Sequence, residues 1–224
     1  MPALPRQPEP RDPAAAVVDA GRWFEAGAGR ALLASEADAV AQACADRRGQ
    51  ATLRLSPTPD AGQGGDRCLD LHLAGGRFEG SVRCALPLPL ASESLGTVVL
   101  QHVADYPIDR SALLAECTRV LVPGGCLWLF TLNPLAPYHL RWTGSGLRGA
   151  EPVIWRRRLR TAGLTPDAVS QGLGPRWRIA ASSRVQDGAG LRAAYLLRAE
   201  KRMAPLTPVR ARPRVRLQTG VPAA

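Results

Sequence analysis

The chain has 224 residues, 46% of them hydrophobic and 21% charged, a balance that suits one globular domain with extensions. Lys and Arg number 29 against 19 Asp and Glu, for a net charge of +10, and Lys201 is the single lysine, so the basic side chains are almost all arginine. No apolar stretch approaches the roughly 20 residues that span a bilayer, and no Cys-x-x-Cys pair supports a zinc or redox motif among the five cysteines.

The opening segment "MPALPRQPEPRDP" has no apolar core and does not read as a signal peptide. With scattered cysteines, it points to a soluble, cytoplasmic protein without membrane contact. Residues 1–14 read as a flexible arm, 15–200 as the folded domain, and 201–224 as a disordered Arg/Pro-rich tail. The arginine excess has two open readings, a compositional bias or an anion-binding surface.

In chain order, Gly29 to Arg48 reads as an Ala-rich helix closed by Gly49. Ala51 to Leu55 is a strand, and "SPTPDAGQGGD" a loop whose prolines and glycines forbid a helix. "RCLDLHLA" and "GSVRCAL" read as two further strands. "GTVVLQHV" (96–103) is the clearest buried strand. Leu113, Leu114, Cys117, Val120 and Leu121 recur on one face of a helix, capped by Asp109 or Ser111 and ended by Pro123-Gly124. "CLWLFTL" is apolar on both faces, as in a parallel sheet covered on both sides. A short helix follows from Pro152 to Gly163, with Arg156, Arg157, Arg158 and Arg160 on its surface. Leu191 to Glu200 is a last strand. The class is α/β, with a mostly parallel sheet.

The segment Leu86 to Pro134 contains a Leu-Pro-Leu turn (Leu88 to Leu90) and a buried strand. A helix ending in "RVLVPGG" and an apolar strand closing in Asn133-Pro134 follow. This run resembles the class I S-adenosylmethionine-dependent methyltransferases, in particular the type 11 group. The resemblance implies a Rossmann-like sheet with an antiparallel last strand and ligands at the carboxyl ends of the strands. It makes the Pro-Gly-Gly corner scaffold, at the other end of the sheet.

The same resemblance implies a cofactor cleft bordered by Ser56, His72, Cys84, Ala85 and Gln101. His102 is the candidate base, and Tyr138 and His139 would line the acceptor pocket. Three features depart from the family pattern. Ser56-Pro57-Thr58-Pro59 stands where a Gly-x-Gly loop follows the first strand, and Gly62 to Gly65 comes late. Asp70 lies too early for the ribose-binding carboxylate. Cys84 stands where an acid faces the adenine. S-adenosylmethionine is therefore expected to bind weakly or not at all, and the acceptor, taken as a small molecule, is not legible. Two alternatives stay open: a non-catalytic module of the same fold, and a basic nucleic-acid-associated protein whose tail touches polyanions non-specifically.

Overall fold

The computed structural model describes residues 13–59 and 67–202. The start of the N-terminal arm, the Gly62–Gly65 run and the tail from Met203 lie outside the described residues. The elements are α1 (Pro13–Glu25), α2 (Gly27–Ala45), β1 (Thr52–Ser56), β2 (Cys68–Ala74), β3 (Arg77–Gly80), β4 (Leu95–Gln101), α3 (Arg110–Val120) and β5 (Leu121–Leu132). Then come α4 (Pro152–Thr161), β6 (Leu164–Pro166), β7 (Gln171–Leu173), β8 (Gln186–Asp187) and β9 (Ala194–Lys201). They form one sheet in the order β3-β2-β1-β4-β5-β9-β7-β8, with β6 also on the edge of β9.

The centre of the sheet is parallel and its flanks are antiparallel. β1 pairs in parallel with β2 and β4, and β4 with β5. β9 runs antiparallel to β5. β4 therefore stands between β1 and β5. All seven of its residues are buried, which explains the apolar run Val98 to Leu100 with no polar alternation. Val40 and Ala43 of α2 pack with Val99, Trp128 and Phe130 on one face. Leu113 and Leu114 of α3 and Trp155 and Leu159 of α4 join the larger core with Val98, Leu100, Leu127 and Leu129. Leu114 is 2% exposed. Leu114→Ala is expected to cost about 2–5 kcal/mol, read by urea unfolding; a loss under about 0.5 kcal/mol would mean that the helix face contributes little.

Four local features differ from the expectations. A helix, α1, begins at Pro13, inside the stretch read as an arm, and Val17, Ala20 and Phe24 bury one of its faces. The third strand is Arg77–Gly80, not Gly80 to Leu86. Gly75 and Gly76, with φ of 54° and 84°, supply the left-handed turn that folds it back on β2. Beyond it, only Cys84 pairs, by a bridge to Phe78. α3 ends at Val120, before Pro123, because the chain already turns extended at Leu121. Finally, the short strands β6, β7 and β8 had no sequence signal of their own.

The Pro-Gly-Gly corner is thus part of β5, near its amino end. Leu95 pairs with Leu121 but Thr97 with Cys126, so β5 carries three extra residues there. Pro123 donates no ladder hydrogen bond, and Gly124, at φ 75°, takes the backbone through the bulge. The Arg47 guanidinium donates to the Gly124 carbonyl.

Candidate active site

β4 ends at Gln101, and the next residue, His102, has φ 56° and ψ −3°. A non-glycine residue in that region costs on the order of 1 kcal/mol or more, so the surroundings must enforce it. The His102 amide donates to Phe130 O at 3.0 Å, and its carbonyl accepts from Asp105 N at 2.9 Å. Its ring sits between two carboxylates. Nε2 is 2.9 Å from Glu36 Oε1, and Nδ1 is 2.9 Å from Asp105 Oδ2. All three side chains have no exposure to solvent.

The contacts continue on both sides. Gln101 Nε2 donates to Glu36 Oε2 at 3.0 Å, and Arg54 Nη2 donates to Gln101 Oε1 at 3.1 Å. Arg54 also approaches Asp70 at 3.8 Å. Asp105 accepts from Leu132 N at 2.8 Å and from the Thr131 hydroxyl. The chain Asp70–Arg54–Gln101–Glu36–His102–Asp105 therefore alternates in sign, with a neutral amide as spacer. Burial alone would pull the His102 imidazole down. The charge of Glu36 and the hydrogen bonds to Asp105 and Glu36 outweigh it and lift the pKa to about 9. At neutral pH the ring is an imidazolium.

α1 lies across this end of the sheet. The Phe24 ring is 5.0 Å from the His102 ring and stacks on Tyr106 at 6.1 Å. The Tyr106 hydroxyl donates to Pro57 O, just past β1. Trp23 Nε1 donates to Arg141 O at 2.8 Å and ties α1 to the turn Pro137–Arg141. Beside the charged chain, a cavity of about 190 Å³ remains, bordered by Leu33, Ala37 and Val40 of α2 and by Arg54, Thr58 and Gln101.

The candidate residues from the sequence fall in several places. Gln101 and His102 are adjacent and buried in the charged chain. Ser56 is buried beside them at the end of β1, and its hydroxyl donates to Thr58 O at 2.8 Å. His72 pairs in register with Ser56 and is half-buried. Cys84 sits on the edge beyond β3, where burial pushes its thiol up, and Ala85 next to it is exposed. Tyr138 is buried, and its hydroxyl donates to Ala28 O at 3.0 Å, at the start of α2. His139 is half-buried, 5.8 Å from the Trp142 ring.

Glu36, Asp105 and Arg54 were not anticipated. Glu36 and Arg54 each had a faint signal. Leu32, Glu36 and Val40 recur at helical spacing, which places a carboxylate on the buried stripe. Arg54 stands between Leu53 and Leu55 in a strand buried along its whole length.

The family model described as a methyltransferase domain matches residues 73–129, about a quarter of the chain. Among solved structures, an S-adenosylmethionine-dependent methyltransferase from Thermotoga maritima, described as a possible histamine N-methyltransferase, aligns at TM-score 0.58 and 16% identity. That alignment covers 84% of this chain and 98% of that one. Geranyl diphosphate C-methyltransferase from Streptomyces coelicolor aligns at TM-score 0.50 and 19% identity, over 74% and 77%. A chain of the Haloferax volcanii complex of the Trm112 methyltransferase activator with a putative methyltransferase aligns at 0.51 and 14%, over 83% and 98%. A search of curated proteins finds no match. The strand order and the antiparallel last strand agree with these neighbours: this chain has the Rossmann-like fold of those methyltransferases, and its central residues 73–129 match the methyltransferase-domain model.

Proposed function

We propose that the chain is an S-adenosylmethionine-dependent methyltransferase for a small-molecule acceptor, with α1 as a cover over its cofactor cleft. The observation that carries this reading is the buried charged chain at the carboxyl ends of β1 and β4, where folds of this class take their ligands. Among the described residues the cleft is narrow. The cavity of about 190 Å³ is smaller than the roughly 300–1,000 Å³ of ordinary ligand pockets. In this reading α1, whose Phe24 packs on His102 and Tyr106 beside the cleft, withdraws to widen it, so that Ser56, His72, Cys84, Ala85 and Gln101 border a nucleoside and Tyr138 and His139 an acceptor. His102, as an imidazolium, has no lone pair to take a proton at neutral pH. Its part in this reading is to hold Glu36 and Asp105 in place.

The five free cysteines fit a cytoplasmic location, and among the described residues no helix is long and apolar enough to cross a membrane. The Arg/Pro-rich tail would add non-specific polyanion contact.

One observation favours the second reading, a non-catalytic module. Arg54 engages Asp70, the one carboxylate of β2, so β2 itself offers no free acid to the ribose hydroxyls. Calorimetric titration of the full chain with S-adenosylhomocysteine separates the two. The enzyme reading expects saturable binding with Kd on the order of tens of micromolar or weaker, since two charge-assisted anchors are missing, each worth about 1.5–3 kcal/mol. Absence of binding at millimolar ligand, both here and after α1 is loosened, would leave the non-catalytic module.

A further inference from the structure

On the face of the sheet opposite α2, the α3 and α4 helices leave a groove of about 460 Å³ between them. Arg110, Arg157 and Arg158 line it together with Leu114, Ile154 and Ala162. Under it lies Trp155, wholly buried. Two guanidinium groups lie against this one indole, Arg158 at 5.0 Å and Arg110 at 5.8 Å from the ring centre. Stacking on an aromatic face holds a guanidinium flat without using its N–H donors.

Those donors are not matched by acids. Among the described residues, no carboxylate forms an ion pair with Arg110, Arg157 or Arg158. Arg110 is fixed instead by backbone carbonyls: its Nε donates to Ala104 O at 2.7 Å and its Nη2 to Arg148 O at 2.6 Å. Arg158 Nη1 is buried and has no hydrogen-bond partner, and neither has Trp155 Nε1. Burial, then the charges of Arg158 and Arg148, pull Arg110 below its usual range against the opposing pull of Asp105. Like charges have been gathered without a counter-charge at the groove itself. A buried donor without a partner is costly, and an anion would relieve both conditions at once.

We propose that the α3–α4 groove binds a phosphate-bearing small molecule, its phosphate held by Arg110, Arg157 and Arg158 and its organic part against Leu114, Ile154 and Ala162. The groove has the size of a small-ligand pocket. Its apolar wall distinguishes it from a stripe that tracks a polynucleotide backbone. It lies outside the cofactor cleft, so the site does not depend on methyl transfer.

The test is calorimetry on the full chain at fixed ionic strength, with inorganic phosphate, pyrophosphate and phenyl phosphate as probes. One saturable site is expected, with phenyl phosphate several-fold tighter than inorganic phosphate. Arg157→Gln combined with Arg158→Gln should weaken phenyl phosphate at least tenfold, while its circular dichroism and response to S-adenosylhomocysteine stay those of the parent. Equal binding by the double variant, or heats no larger than those of sodium chloride at matched ionic strength, would overturn the proposal. So would a short oligonucleotide that binds more tightly than every small probe and is lost in the double variant, because the occupant would then be a nucleic acid.

Discussion

His102→Ala is expected to cost about 3–5 kcal/mol of stability, because it strands two buried carboxylates that now share one cation. Glu36 would keep Gln101, and Asp105 would keep Thr131 and the Leu132 amide, but neither would keep its charged partner. The parent chain should report the same interaction through pH. The folded His102 has a pKa of about 9, above the roughly 6.5 of an unfolded histidine. A raised folded value stabilises fully below the unfolded one, and that stabilisation is lost as pH rises from about 6.5 through 9. The loss is about 3 kcal/mol across that window. Urea midpoints at a series of pH values, in the parent and in His102→Asn, measure it. A parent curve flat between pH 7 and 9, or one that falls equally in the variant, would show that the ring is not the charged partner of Glu36 and Asp105.

Phe24→Ala carries the second large effect. The ring is fully buried against His102, Tyr106 and Trp23, so its removal should cost about 3–5 kcal/mol. The functional consequence runs the other way. If the cofactor binds only when α1 is withdrawn, its apparent affinity is scaled by the fraction of molecules in that open form. Loosening α1 enlarges the fraction, and S-adenosylhomocysteine should bind Phe24→Ala at least tenfold more tightly than the parent, at a temperature where both stay folded. Unchanged or weaker binding would show that α1 is a fixed wall of the domain.

The central fold was legible because its signals are local and redundant. Val98 to Leu100 and Leu127 to Phe130 are apolar on both faces, the helix between them has its Asp109 cap, and the intervening length suits a parallel return. α1 was hidden by the prolines that surround its start, although Val17, Ala20 and Phe24 carry helical spacing. The third strand was misplaced because Val82 and Cys84 suggested β structure more strongly than Arg77 to Gly80. The pairing was decided by the Gly75-Gly76 turn instead. At the site, Gln101 and His102 could be found from their place at the end of β4. The helical spacing of Leu32, Glu36 and Val40 could mark Glu36 as buried, but not its pairing with His102, which is 66 residues away and is brought to it only by the folded chain.

That separation also sets an order of assembly. As the chain leaves the ribosome, α1 and α2 emerge before any strand they can pack on. Val40 and Ala43 find no surface until β4 and β5 have paired, and β5 in turn closes on β9 near the end of the domain. Contacts of such sequence range slow folding, since the intervening loop must close before the contact stabilises anything. Two amphipathic helices waiting with exposed apolar faces are a surface for chaperones and for wrong partners. The Glu36–His102 bridge belongs to the same long-range set: Glu36 of α2 has no buried cation to meet until the chain has reached the end of β4, 66 residues later.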